Sequence, residues 1–131
     1  MLLKWVRHIV LLPQIETRDA VDNAEAIMDT PGISGIYVGP SDLGLSMGLP
    51  AILDRTEAEI LRTYENIVAA AKARGQIAGI HNHSVDYAGQ MKELGFNFLT
   101  VGSDFGHMLT NGLTDIRRFG AAPGPVAHSA Y

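Results

Sequence analysis

Residues 35–42 have the sequence Gly-Ile-Tyr-Val-Gly-Pro-Ser-Asp, and this stretch decides the fold class. Its first four residues form a short apolar run, which predicts a buried strand, and its last four are rich in turn-forming residues. A continuously apolar strand is typical of a parallel sheet whose faces are covered by helices. The stretch therefore indicates an α/β protein, and the same pattern recurs along the chain.

Four strand-then-helix units are predicted. Their strands are the apolar runs at residues 9–15, 35–38, 76–80 and 96–101. Successive units of this kind build a parallel sheet. Four units make half of a (β/α)8 barrel, which takes about 250 residues, and they also suit a small open doubly wound sheet. The spacing of the units does not distinguish the half barrel from the open sheet. The sequence contains no G-x-G-x-x-G fingerprint after the first strand and no P-loop motif, which argues against the nucleotide-binding versions of the open sheet.

The predicted helices have recognisable start signals. The first helix follows Thr17, a capping box of Thr56 and Glu59 is expected to start the second, and Ser84 is a candidate N-cap for the third. A loop is expected through residues 46–50. A weaker fourth helical segment extends to about residue 119.

Composition excludes several classes of protein. The 131 residues carry 10 Lys and Arg against 14 Asp and Glu, and 47% are hydrophobic, which is typical of one soluble globular domain. The net charge of −4 without a basic cluster argues against a nucleic-acid partner, and no apolar run is long enough to span a membrane. Because cysteine is absent, we expect no disulfide and a reducing, cytoplasmic compartment.

The predicted domain spans residues 12–119. Residues 1–11 are interrupted by charged side chains and form an atypical leader that is unlike a signal peptide. Residues 120–131, which include Pro123-Gly124-Pro125, are expected to form a tail.

Two acidic residues follow the first two strands. Glu16 comes just after the first strand and Asp42 just after the second. Because neighbouring parallel strands lie about 4.8 Å apart, the two carboxylates can converge. Two carboxylates and water suit Mg2+ or Mn2+ and leave coordination positions for a chelating substrate. The alternative is that Glu16 caps the following helix and Asp42 closes an Asx turn.

Residues 39–42 also suggest an anion site. Gly39 permits close approach to the backbone, and the amides of Ser41 and Asp42 can point at an anion such as a carboxylate where loop turns into helix. A tight turn without a ligand is the alternative.

His81 and His83 are two residues apart on a predicted strand, so both side chains are expected on one face. Two histidines lack the third ligand of a usual zinc site. An acid/base or supporting role and a purely structural, hydrogen-bonded role both remain open for them.

Three segments together resemble the HpcH/HpaI aldolases, the class II metal-dependent 2-keto acid aldolases. They are Pro-Gln-Ile-Glu-Thr at 13–17, Gly-Ile-Ser-Gly-Ile-Tyr-Val-Gly-Pro-Ser-Asp-Leu at 32–43, and Leu-Gly-Phe-Asn-Phe-Leu-Thr-Val-Gly-Ser-Asp at 94–104. The resemblance runs from about residue 12 to about residue 104. It implies the C-terminal half of a TIM (β/α)8 barrel and a lyase that cleaves a 2-keto acid to pyruvate and an aldehyde.

The resemblance also implies roles for individual residues. Glu16 and Asp42 are similar to the two carboxylate ligands of a divalent ion, Mg2+, Mn2+ or Co2+. Gln14 is similar to the residue that reaches the keto acid, and the Ser41 and Asp42 amides are similar to donors to its carboxylate. Gly39 and Pro40 shape the same pocket. Such a mechanism requires no Schiff-base lysine.

The family's catalytic His and Arg lie on the first strands of the barrel, which find no match in this sequence. The alternative to an active lyase is therefore a truncated, non-catalytic fragment that binds metal or keto acid or serves in assembly. A half barrel has two open sheet edges. We expect it to form a homo-oligomer or to pair with a separate N-terminal half.

Overall fold

The computed structural model describes residues 9–120. Residues 1–8, within the predicted leader, and residues 121–131, within the predicted tail, lie outside the described residues, so those two boundaries stay predictions. None of the helices in the described part is long and apolar enough to cross a membrane.

Within residues 9–120, four strands form one parallel sheet in the order in which they occur in the chain. They are β1 (Gln14–Ile15), β2 (Gly35–Val38), β3 (Ile77–Asn82) and β4 (Phe98–Val101). The helices between and after these strands, up to residue 101, are α1 (Arg18–Asp22), α2 (Ala24–Met28), α3 (Pro40–Ser46), α4 (Ala58–Ala73) and α5 (Val85–Leu94). The predicted α/β class with parallel strand-helix units is thereby confirmed.

The core lies on one face of the sheet. Ile36 and Val38 of β2 and Ile80 of β3 are fully buried there, together with residues of α2, α4 and α5. Tyr64 of α4 packs edge-on against Phe96, with ring centroids 5.9 Å apart. The burial of apolar surface between the sheet and the helices that cover this face is the main contribution to the stability of the fold.

The first unit is shorter and more broken than predicted. Regular β1 covers only residues 14–15 of the predicted 9–15, because Pro13 has no N–H to donate to a ladder. The helix after Thr17 is divided at Asn23 into α1 and α2. The Asn23 side chain donates to the carbonyl of Asp19 at 2.7 Å, a local bond that competes with continuous helix.

Two further expectations about helices are wrong. Residues 40–46 form α3, so Ser46 ends a helix and is not part of a loop. The predicted capping box is also absent, since α4 begins after Glu57 and no side chain caps it. The N-cap at Ser84 is confirmed by a bond from the Tyr87 amide to its hydroxyl.

Residues 102–120 belong to a second compact unit and are described by themselves. They contain α6 (Asp104–Arg118), which confirms the predicted fourth helical segment. Ser103 caps it by accepting from the Gly106 amide at 3.1 Å, and Arg117 and Arg118 lie in its last turn, where a helix favours cations.

Candidate functional site

The ends of β1 and β2 bring Glu16 beside Gly39. The Tyr37 amide donates to the Pro13 carbonyl at 2.9 Å, and the Gly39 amide donates to the Ile15 carbonyl at 3.1 Å. A Cβ atom added to Gly39 would lie 2.6 Å from Nε2 of Gln14 and 3.3 Å from Oε2 of Glu16. Because Gly39 has no side chain, Gln14 and Glu16, which the sequence places in one candidate site, lie close against its backbone.

Neither predicted metal ligand is used for capping. Thr17 caps α1 through its hydroxyl, which accepts from the Ala20 amide at 3.1 Å, so Glu16 does not. Asp42 is exposed in the first turn of α3. Among residues 9–120, neither carboxylate accepts a hydrogen bond or forms an ion pair. Both are therefore available to a ligand.

The start of α3 presents backbone donors next to Gly39. Gly39 is the N-cap and Pro40 the first helical residue, a position where proline is favoured. The first helical bond runs from the Leu43 amide to the Gly39 carbonyl at 3.0 Å. The amides of Ser41 and Asp42 precede it and have no acceptor within the described residues, as first-turn amides generally lack one.

A buried arginine, which sequence reasoning missed, holds this helix start. The Arg55 side chain is 0% exposed, and its guanidinium donates to the carbonyls of Pro40 and Pro50 and to the Glu57 carboxylate. A Cβ atom on Gly44 would overlap the guanidinium, so this glycine in α3 is required by Arg55. A lone arginine in a loop gives no sequence signal of burial, although a glycine inside a helix is an indirect one.

Asp54, the residue before Arg55, fixes the loop to the end of β3. Its carboxylate accepts from the amides of His83 and Ser84 at 2.7 and 3.0 Å and from the Ser84 hydroxyl at 2.7 Å. Together Asp54 and Arg55 connect the starts of α3 and α5.

Strand register places His81 in the same row as the candidate site. Val38 pairs with Ile80, so one residue further along each strand Gly39 neighbours His81, and His81 pairs with Thr100 of β4. Residues paired in a parallel sheet share a face. His83 lies beyond the end of β3 and is exposed, so the alternation that predicted one face for both histidines stops at Asn82.

A hydrogen-bonded chain crosses three strands on this face. The Tyr37 hydroxyl bonds to Oγ1 of Thr100, which also bonds Nδ1 of His81 at 2.7 Å. Tyr37 passes over β3 at Gly79, where a Cβ would lie 2.6 Å from Cδ2 of Tyr37. Burial raises the pKa of the Tyr37 hydroxyl, and its bond to Thr100 opposes part of that rise.

The donor set fits a hard divalent cation. Glu16 and Asp42 supply carboxylate oxygens, the ligands that Mg2+ and Mn2+ prefer. No group of three or more His, Asp or Glu side chains forms a metal cluster in residues 9–120. A cation here would therefore complete its coordination with water and with a chelating ligand.

Comparisons with known proteins agree on one family. The sequence profile described as HpcH/HpaI aldolase/citrate lyase matches residues 4–111. The 5-keto-4-deoxy-D-glucarate aldolase of Citrobacter koseri is 40% identical over 100 residues, which are 76% of this chain and 38% of that protein. The chain thus spans less than half the length of the relatives that it matches.

Solved structures show the same fold. A family protein from Burkholderia cenocepacia superposes with a TM-score of 0.76 and 28% identity, covering 85% of this chain and 42% of that one. The citrate lyase beta subunit of M. tuberculosis, solved with oxaloacetate and magnesium, gives a TM-score of 0.60 at 19% identity, covering 72% and 47%.

Proposed function

Since the chain belongs to the HpcH/HpaI aldolase/citrate lyase family, we propose that it carries the metal and keto-acid site of a carbon–carbon lyase. Its substrate is a 2-keto acid that is cleaved to pyruvate or a similar keto acid and an aldehyde. The observation that carries the proposal is the pair Glu16 and Asp42, two carboxylates without a protein partner among the described residues at neighbouring strand ends.

Each residue of the site has a role in this proposal. Glu16 and Asp42 would hold Mg2+, Mn2+ or Co2+. The Ser41 and Asp42 amides donate to the substrate carboxylate, as at other helix starts that bind anions. The Gln14 carboxamide, which lies close to the backbone of Gly39, donates to the keto acid.

A divalent ion, when bound, supplies Lewis-acid stabilisation of the negative charge that develops on the 2-keto oxygen as the carbon–carbon bond breaks. The protein's own contribution is to fix the geometry in advance. Arg55 contributes by holding the Pro40 carbonyl at 2.9 Å, which fixes the turn that presents the two amides. Positioned donors of this kind favour the charge of the transition state at no cost of reorganisation.

The second candidate is a binding fragment without turnover. In that case the chain binds the metal and the keto acid but does not break the carbon–carbon bond.

Assembly is part of both candidates. Within the described residues β1 and β4 each have a neighbour on one side only. Phe98 of β4 is 45% exposed on the face that also carries Tyr37, opposite to the face covered by helices. We propose that a second copy of the chain or an N-terminal half barrel covers these edges and this face, because open edges and apolar surface favour association.

Thermal unfolding of the 131-residue chain with and without Mn2+ and pyruvate tests the proposed site. A ligand at a hundredfold excess over its Kd adds about 2.7 kcal/mol to the stability of the native state. We expect the midpoint to rise in the wild type and in Asp86→Asn, a matched exposed acid in the first turn of α5. The rise should be lost in Glu16→Gln and Asp42→Asn.

Two outcomes contradict the proposed site: a wild-type chain that does not respond, or an Asp42→Asn variant that responds as the wild type does. A pyruvate-release assay then separates the two candidates. Turnover by the chain, alone or with an added N-terminal half, supports the lyase, whereas binding without turnover in both cases supports the fragment.

A further inference from the structure

A cleft of about 530 Å³ lies at the amino ends of β3 and β4. Gln76 directly precedes β3, Asn97 directly precedes β4, and both residues line the cleft. The candidate metal site lies at the opposite ends of the strands, so it takes no part in this cleft. Volumes of about 300–1,000 Å³ are typical of sites that bind small molecules.

One part of the lining is apolar. It consists of Val68 of α4, Ala78 of β3 and Leu94 of α5. Gly95 allows the end of α5 to approach α4, because a Cβ atom at this position would lie 2.7 Å from Cγ1 of Val68. This surface suits the apolar part of a ligand.

The polar part of the lining carries one charge of each sign. Lys72 lies in the last turn of α4 and Glu93 in the last turn of α5, and both side chains are exposed. Among residues 9–120 neither forms an ion pair. Arg74, two residues after Lys72, differs because Glu25 and Asp29 occupy its guanidinium. Both charges of the cleft are therefore available to a ligand.

Uncommitted hydrogen-bonding groups line the same cleft. Oδ1 of Asn97 accepts from the Ala78 amide at 2.9 Å, and its Nδ2 has no acceptor within the described residues. The carbonyls of Glu93 and Leu94, the last two of α5, accept no hydrogen bond from residues 9–120, and a helix favours positive charge at this end. Oε1 of Gln76, which is buried, also lacks a donor there. The lining thus offers donors to an anion and acceptors to a cation.

We propose that this cleft binds a zwitterionic amino acid with an apolar side chain. Lys72 and Nδ2 of Asn97 donate to its carboxylate, Glu93 and the last carbonyls of α5 accept from its ammonium group, and the apolar lining contacts its side chain. A simple carboxylate would leave the charge of Glu93 uncompensated, and a simple amine that of Lys72, so the two charges together select a ligand that carries both. The inference does not depend on the proposed function of the metal site.

Nuclear magnetic resonance of the 15N-labelled 131-residue chain, titrated with L-leucine, tests the proposal. Two analogues test each ligand charge separately: 4-methylpentanoate lacks the ammonium group, and 3-methylbutylamine lacks the carboxylate. We expect leucine to shift the amide signals of Gly75, Gly95 and Asn97 but not that of Gly39. It should bind about tenfold more tightly than either analogue, as one charge-assisted hydrogen bond provides.

Four variants test the two charged side chains. Lys72→Met and Glu93→Gln should each weaken leucine binding about tenfold, and Lys72→Met should bind leucine no more tightly than 3-methylbutylamine. Lys92→Met and Glu59→Gln change matched exposed residues of α5 and α4 that do not line the cleft, and they should bind leucine as the wild type does. Since all four side chains are exposed, we expect each variant to fold, which circular dichroism establishes.

Several results would overturn the proposal. One is a chain whose signals do not respond to leucine, or respond only at residues 39–42. Another is an analogue that binds as tightly as leucine does. A third is a loss of binding in Lys92→Met equal to that in Lys72→Met. Because neither metal nor keto acid is added, each of these results leaves the proposed metal site to its own test.

Discussion

Gly44→Ala should destabilise the fold, because Arg55 occupies the space that the new methyl group needs. The Cβ would overlap Cζ and Nη2 of Arg55 and lie 2.5 Å from its Nε. The guanidinium cannot move aside without losing its acceptors, the carbonyls of Pro40 and Pro50 and the Glu57 carboxylate. Since its side chain is 0% exposed, water does not replace them.

The magnitude follows from two opposing contributions. Depriving a buried charge of its partners costs about 3–5 kcal/mol. Alanine in place of glycine inside a helix increases the stability of the helix by about 1 kcal/mol. The net loss in the free energy of unfolding is therefore about 2–4 kcal/mol. With an m-value of about 2 kcal/mol/M, in the middle of the range for small proteins, the urea midpoint should fall by roughly 1–2 M.

Urea unfolding followed by circular dichroism measures this loss, and two variants control it. Gly89→Ala in α5 adds a methyl group with nothing within 4 Å, and it should raise stability by about 0.5–1 kcal/mol. Gly44→Ala made in an Arg55→Ala background should cost nothing further. A Gly44→Ala variant as stable as the wild type, or an equal loss in both backgrounds, would refute the reasoning.

Three further outcomes are expected. Gly39→Ala should fold, since the nearest atom to its Cβ is the flexible end of Gln14, but the thermal shift caused by Mn2+ and pyruvate should disappear. Tyr64→Phe should leave the urea midpoint unchanged or raise it, because the buried Tyr64 hydroxyl has no hydrogen-bond partner among the described residues. Burial raises the pKa of Tyr87 to about 12 and also raises that of Tyr37. Because a raised pKa means that the folded protein holds the tyrosine proton more tightly than the unfolded chain does, the contribution of these two tyrosines to stability is complete below about pH 10 and is lost as pH rises toward 12. Urea midpoints measured across that range would detect the loss. An unchanged midpoint would contradict the expected loss.

Local sequence patterns predicted the parts of the fold that local forces determine. The apolar run of β2, the N-cap at Ser84 and the stop at Gly95, whose φ is +119°, depend on neighbouring residues and are where they were expected. A helix start near Ser41 is expected from the sequence, but the continuation of α3 to Ser46 is not, because α3 contains Gly44 and is held by Arg55, which follows 11 positions later. No sequence pattern within residues 40–46 predicts the contact between Arg55 and α3.

The candidate site likewise contains residues that the sequence predicts and contacts that it does not predict. Glu16 and Gly39 are expected near one another because strand ends meet at one edge of a parallel sheet, whereas Gln14 enters only through the family resemblance. The structure brings these three together. The bond between Tyr37 and Thr100 joins residues 63 positions apart. It depends on sheet register, which requires the order of the strands as well as their existence, and neither is contained in a local pattern.

The strand order gives the sheet a graded resistance to local opening. Each strand after β1 pairs with the strand before it in the chain, so within residues 9–120 β2 and β3 have two neighbours and β1 and β4 have one. Opening at either side breaks a single ladder. The Val38 and Gly79 amides lie between β2 and β3, because the amides of Tyr37 and Ala78 beside them face the outer strands, so exposing them requires the central ladder to separate. Amide hydrogen exchange should therefore be slowest at the centre and faster toward both sides. The edge that carries the candidate site then combines a carboxylate on the more readily opened side, Glu16 next to β1, with a histidine at the more protected centre, His81 within β3.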